Sequence, residues 1–330
     1  MCILDNSQPT KRRPSVHGWI DVAPRSAELT PALKPVCKPG SLKHVNFAAG
    51  VSVPTPKQSK RSAVVLRAAV DVKRGRVLHL FSGPSTRADS LAFFLREKGW
   101  EVDDYDCKCN RDSEQDICAD HVWDKISSKL RDGYYKFVIA GTPCETFSHA
   151  RHVPPGPRPL RSLEELYGFK HGLSGKEKEE VRIANLCVAR TAEACRLVAA
   201  SGGGFLIENP RPWPGFETMW LLDEMQSLQS DLGAKTVDFD QCMWGAETTK
   251  PTRVMYLRCQ GEMLAKQCNH QLQSWVDAKG KQYWAAHERP IQRFRDNGEF
   301  ATKALGAWPK QLNQAFALLI HHSSSSGAFQ

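Results

Sequence analysis

The chain has 330 residues, 41% of them hydrophobic and 25% charged, the balance of an ordinary globular protein with ample material for a core. No apolar run approaches the length of a bilayer span, and the N-terminus lacks the charged-then-apolar order of a secretory signal, so neither membrane insertion nor export is expected. The formal charge is +9, and the eleven cysteines are scattered, which suits free thiols in a reducing interior rather than a disulfide framework.

Residues 1–74 are rich in Pro, Ser, Lys and Arg, show no sustained periodicity, and read as a mostly disordered arm. They hold 13 Lys/Arg against 4 Asp/Glu, which leaves 32 of each in the remainder, so the whole charge surplus sits in the arm. A basic arm on a neutral body suits contact with nucleic acid, and a solvated tail is the plainer alternative. Lys11-Arg12-Arg13 is a short basic run of the kind found in nuclear addresses.

Residues 75–320 read as one α/β domain with a mostly parallel sheet covered by helices on both faces. Val77 to Phe81 is an expected strand, followed by the turn Ser82-Gly83-Pro84-Ser85. Leu91, Phe94 and Leu95 fall at helical spacing before Gly99. A second strand covers Glu101 to Asp106, and a helix carrying Trp123, Ile126 and Leu130 leads to a third strand at 137–140. A long helix from about Lys176 to Ala200 is broken by Gly202-Gly203-Gly204 ahead of Phe205-Leu206-Ile207. A helix with Met219, Leu222 and Met225 precedes strands at 236–239 and 253–257. Leu312, Phe316 and Ile320 form a core-facing stripe on a last helix, and 321–330, with its serine run, reads as a disordered tail.

Ligands of open α/β sheets bind outside the carboxyl ends of the strands, and four chemically suggestive segments lie there. Phe81-Ser82-Gly83 offers a backbone with no Cβ in the way. Asp106 closes the second strand, where a carboxylate can accept ribose hydroxyls; Asp103 and Asp104 compete for that role. Pro143-Cys144 presents a thiol just past an apolar strand, as either a nucleophile or a structural cysteine. Glu208, in Glu208-Asn209-Pro210, directly follows another apolar strand.

In order and chemistry these segments resemble the cytosine-C5 DNA methyltransferase family, and most closely its divergent phage and mobile-element members, over about residues 76–320. The resemblance implies a Rossmann-like S-adenosylmethionine-dependent methyltransferase fold, with S-adenosylmethionine as cofactor and DNA as substrate. It further implies that Phe81, Ser82 and Gly83 hold the methionine part of the cofactor and Asp106 its ribose. Asp116 and Ile117 would meet the adenine, with Pro143 and Asn313 also lining that pocket. Cys144 would attack C6 of a flipped-out cytosine, Glu208 would share a proton with N3, and Arg253 would bond the base carbonyl and organise both. Ser148, Arg151, Arg158 and Arg161 fall in the family's DNA-closing loop.

This sequence departs from the family in having Pro84-Ser85-Thr86 where further glycines are usual, and it lacks Gln-x-Arg-x-Arg around Arg253. The recognition region, about 258–300, is small, and the segment between Cys144 and Glu208 is long. RNA is the alternative substrate, since the same covalent logic serves RNA cytosine methylation. A non-catalytic DNA- or cofactor-binding relative within a mobile element is the alternative from another class. A dehydrogenase is disfavoured because Gly-x-Gly-x-x-Gly is missing after the first strand. Cys259, Cys268 and His270, like Cys107 and Cys109, lack four ligands at familiar spacing, so no metal is expected. A monomer is expected, in the nucleus of a eukaryotic cell or otherwise in the cytoplasm.

Overall fold

The computed structural model describes residues 74–84, 86–110, 112–154, 156–277, 280–288 and 306–325. Residues 1–73 of the basic arm, 289–300 of the expected recognition region and 326–330 of the expected tail lie outside the described residues. β1 (Arg76–Leu80), β3 (Phe137–Gly141) and β4 (Gly204–Pro210) are near-continuous apolar runs, as strands covered on both faces require. β2 (Glu101–Tyr105) carries two aspartates and lies at the edge of the sheet, where charge guards against further pairing.

The sheet order is β2-β1-β3-β4-β6-β5. The first four strands are parallel, while β6 (Pro251–Leu257) runs antiparallel to both β4 and β5 (Lys235–Asp240). The result is a mostly parallel, Rossmann-like α/β sheet. Helix α1 (Leu91–Glu97) and α6 (Lys310–Ser325) cover one face, where Leu95, Ile139, Leu206, Val254, Leu312 and Phe316 form a core. The opposite face carries α3 (Asp120–Arg131), α4 (Gly175–Ala200) and α5 (Asp223–Leu232), packed through Ile126, Val188, Ile207, Met225 and Met255. Each such fully buried aliphatic side chain contributes roughly 2 kcal/mol of transfer free energy. A short α2 (Cys107–Asn110) follows β2. Among the described residues no helix is long and apolar enough to cross a membrane.

The long helix starts where a capping box forms: Ser174 Oγ accepts the Glu177 N–H, and the Glu177 carboxylate accepts the Ser174 N–H. Two elements differ from the sequence reading. Met219 and Trp220 lie in a separate 3-10 turn, Met219–Leu221, because the Trp220 indole donates to Pro210 O (2.9 Å) and pins that turn under the end of β4. The terminal helix runs on through 321–325 instead of dissolving in the serine run. There Ser323 is buried, and its hydroxyl folds back onto Leu319 O at 2.7 Å.

From β1 the chain steps to β2 on one side and, later, to β3 on the other. The carboxyl ends of β1 and β3 therefore form the topological switch point, where open sheets of this kind bind ligands. A Cβ placed on Gly141, at the end of β3, would come within 3.0 Å of the Trp308 ring and 3.7 Å of Phe81 O, so the two strand ends and α6's leading segment meet closely. Past β6 lie a 3-10 turn, Gly261–Leu264, and a separate two-stranded sheet, β7 (Gln273–Val276) and β8 (Gln282–Ala285).

Candidate active site

Gly141 and Glu208 are register partners on the neighbouring parallel strands β3 and β4, so the turn leading to Cys144 leaves the sheet beside the Glu208 carboxylate. That carboxylate is buried and fully engaged. Oε2 accepts from the Trp308 indole (3.0 Å), and Oε1 accepts from Gln241 Nε2 (3.2 Å) with Lys250 Nζ 3.8 Å away. Gln241 is itself held by Thr252 Oγ1 at 3.0 Å. Asn209, the next residue, donates to Thr142 O (2.6 Å) and so ties β4 to the turn carrying the thiol.

Cys144 is half-buried in the turn past β3. Burial pushes its thiol up to about 11; Lys250 pulls it down, while Glu208 and Glu145 add to the rise. The thiol, the buried carboxylate and one lysine therefore share one electrostatic neighbourhood.

Arg253 is not part of it. Glu208 pairs with Val254 across β4 and β6, so the pleat sends Arg253 to the opposite face, level with Asn209 and Asp238. There its guanidinium forms a bidentate pair with Asp238, at 2.7 and 2.9 Å. Lys250, just ahead of β6 and at φ +34°, is the cation that reaches Glu208. Lys250, Gln241 and Trp308 are the residues that reading the sequence missed. Lys250 stands in the same Lys250-Pro251-Thr252-Arg253 segment, and only the strand's register distinguishes the two cations.

Of the residues assigned to a cofactor, Phe81, Ser82, Gly83 and Asp106 lie together just past the ends of β1 and β2. Phe81 adopts φ +59° and Gly83 φ +73° at the end of β1, and a Cβ on Gly83 would enter open space. The Gly83 N–H donates to Asp106 Oδ2 at 2.9 Å. The competing acids are committed elsewhere: Asp103 to Arg76 and Tyr135, and Asp104 to His79 and Arg96. Burial works against the Asp104 carboxylate, yet His79 and Arg96 outweigh it and hold it below the usual range. Asp116 caps the Cys118 N–H (2.9 Å), and Ile117 is buried in the core. Asn313 on α6 donates to Asp89 O (2.9 Å), lacing α6 to the segment after β1, while Pro143 is half-buried ahead of the thiol. Ser82 sits between Phe81 and Gly83, its hydroxyl donating to Gly83 O at 3.2 Å.

The loop after Cys144 is built differently from a free basic loop. Arg161 is wholly buried. It donates to Thr146 Oγ1, Leu166 O and Asn185 Oδ1 and lies 3.8 Å over the Phe147 ring, with burial pushing it down to about 10. It braces the thiol-bearing turn, with four of the five N–H groups of its guanidinium committed to protein acceptors. Arg158 pairs bidentately with Glu177 (2.7 Å), and Arg151 pairs with Glu180 (3.2 Å) while donating to Glu145 O. Ser148 caps the 3-10 turn His149–His152 by accepting the Ala150 N–H. Beside this turn the exposed Trp213 ring stacks on His149 at 4.9 Å, a π-face the sequence reading did not single out.

Neither of two surface clefts is lined by Cys144 or Glu208. One is lined by Tyr167, Glu193, Arg196 and Glu224, the other by Phe94, Glu97, Gln314 and Leu318. The expectation that no four metal ligands assemble does not survive folding: Cys242, Cys268, His270 and His287 converge, and Cys259 is not among them.

No protein-family model matches the chain, and no curated protein does. Among solved structures, one similar chain is described as a DNA modification methyltransferase encoded within a prophage of E. coli. It shares 15% identity at a TM-score of 0.29, over 55% of this chain and 46% of that one. The match thus spans under half the length of that protein.

Proposed function

We propose that this chain is an S-adenosylmethionine-dependent methyltransferase acting on C5 of cytosine in DNA, with Cys144 as nucleophile and Glu208 as its acid partner. The observation that carries this reading is the pairing of Gly141 with Glu208, which brings the thiol-bearing turn and a buried carboxylate together at the carboxyl edge of one sheet.

The switch-point residues suit such a cofactor. Gly83 turns its backbone to open space, and Asp106 stands at the end of β2, its Oδ2 accepting the Gly83 N–H. Phe81, Ser82, Gly83 and Asp106 are assigned to hold the cofactor, with Asp116, Pro143 and Asn313 at its margins. When bound, it supplies an electrophilic methyl group.

The chain's own residues do the rest. Cys144 Sγ, as thiolate, adds to C6 of the cytosine and makes C5 electron-rich. Glu208 shares a proton with N3 as negative charge develops there. Once C5 is methylated, a base removes the C5 proton and the C6–S bond breaks, returning the thiolate. Lys250 takes the organising role first assigned to Arg253, because it is the cation whose charge both Cys144 and Glu208 feel. The exposed Trp213 face suits stacking with an unpaired base.

The test is incubation with labelled S-adenosylmethionine and a duplex containing 5-fluorocytosine, read as a covalent adduct on a denaturing gel. An adduct is expected with the native chain and none with Cys144→Ser; an adduct that survives this substitution overturns the assignment of the nucleophile. Methylation of RNA with no DNA adduct moves the substrate to RNA. Cofactor binding with turnover on neither polymer leaves a binding protein.

A further inference from the structure

Four soft ligands from three separate segments meet beside the end of β5. Cys242 lies in the 3-10 turn Gln241–Trp244, Cys268 and His270 in the extended stretch past Leu264, and His287 just beyond β8. Their ligand atoms all lie within 4.8 Å of one another. Cys268 Sγ is 3.4 Å from His270 Nδ1 and 3.5 Å from His287 Nε2. A tetrahedral zinc ion, with bonds of about 2.3 Å to sulfur and about 2.0–2.1 Å to nitrogen, sets sulfur–nitrogen edges of about 3.5 Å. The two Cys268 sulfur–nitrogen distances match those edges, and the four ligand atoms need only close in slightly to surround one ion.

Outer contacts hold these ligands without using up their donor atoms. The Cys268 N–H donates to Asp240 Oδ2 at 2.8 Å, and the His270 and His287 rings pack edge to face with centroids 4.7 Å apart. Contacts of this kind orient the residues that ligate a metal. The hairpin supplies an independent reason for a clasp. β7 and β8 form a two-stranded sheet of their own, with Leu272, Val276 and Trp284 exposed, and an isolated hairpin of that kind is marginal in water. Among the described residues no core cluster includes it, so a clasp of another kind would stabilise it.

We propose that Cys242, Cys268, His270 and His287 form a structural zinc site that fastens the β7–β8 hairpin to the end of β5. Two thiolates and two imidazoles select a soft tetrahedral ion over magnesium or calcium, and four protein ligands leave no open position for chemistry. The site also secures the turn beside the reactive edge, because Cys242 directly follows Gln241, whose amide holds Glu208 and Thr252. The inference is independent of the methyl-transfer reading and stands or falls by metal content.

The full chain, expressed with zinc and purified under reductant, is expected to retain one zinc per chain by elemental mass spectrometry. Cys268→Ser and His287→Ala are expected to retain almost none, and Cys259→Ser the full equivalent. Because a ligand variant can fail to fold, the native chain is also stripped with a chelator and titrated with Co2+. Visible bands of tetrahedral cobalt and a near-ultraviolet thiolate charge-transfer band are expected, both abolished by one equivalent of Zn2+. A native chain that holds no zinc and gives only octahedral cobalt spectra overturns the proposal, as does a Cys242–Cys268 disulfide in the freshly purified chain. Equal metal loss in Cys259→Ser overturns the ligand assignment.

Discussion

The two faces of β4 and β6 carry similar residues to opposite ends. On the α1–α6 face, Glu208 is met by Trp308, Gln241 and Lys250, with the Cys144 thiol in the same field. On the α3–α5 face, at the next cross-strand pair, Asn209 holds Thr142 and Arg253 holds Asp238. One face gathers groups that can move protons and electrons. The other satisfies its polar groups pairwise and fixes the turn in place. A one-residue step along a strand therefore separates chemistry from scaffolding, and changes to the first face should cost rate while changes to the second cost stability.

The largest effect is expected at Glu208. Glu208→Gln keeps the size of the side chain and removes the shared proton, so methyl transfer should fall by about 10³ with little change in Tm. If turnover under saturating DNA falls less than about tenfold, within reach of a merely structural role, the carboxylate is not the acid partner. Next comes the scaffold side. Arg161→Met leaves Thr146, Leu166 O and Asn185 without their buried donor and should cost about 3 kcal/mol in urea unfolding.

Smaller still is Lys250→Met, which removes the charge that lowers the Cys144 thiol. Iodoacetamide labelling of Cys144, followed by peptide mass spectrometry, should slow about tenfold, and methylation should slow in parallel. The pH dependence follows from the direction of the shift. A thiol raised to about 11 is almost wholly protonated at neutral pH, so labelling of the native chain should climb log-linearly with pH toward that value, and a plateau near pH 8 would contradict it. Arg253→Ala closes the series. Loss of a half-exposed pair should cost about 1 kcal/mol of stability and leave the methylation rate nearly unchanged. A rate loss as large as that of Lys250→Met would erase the distinction between the faces.

Much of this arrangement was legible in the chain. Short apolar runs ending in Gly141 or Glu208 announce buried strands and what stands at their ends, and Cys144 and Glu208 were found that way. Lys250 and Arg253 could not be told apart, because which cation faces the carboxylate depends on pleat and register with β4. Arg161 looked like a surface arginine because its neighbours are prolines and other basic residues; only the packing of Phe147 and α4 buries it. Gln241 and Trp308 carry no local pattern that marks them, since one is placed by an antiparallel strand and the other by the docking of α6. Cys242 and His287 are far from Cys268 in sequence, so ligand spacing gave no warning of their meeting.

The contacts of α6 bear on the order in which the chain becomes competent. Asn313 bonds Asp89 across 224 positions and Trp308 bonds Glu208 across 100, so the carboxylate lacks one of its donors until the residues beyond 305 have been made and docked. On a ribosome, β1 to β4 can pair while Glu208 Oε2 still has no indole partner, and long-range closures of this kind are the slow steps of folding. Synthesis itself thus acts as a timer: the Cys144 thiol emerges early, and the Glu208 carboxylate gains its indole donor only once Trp308 has been made and docked.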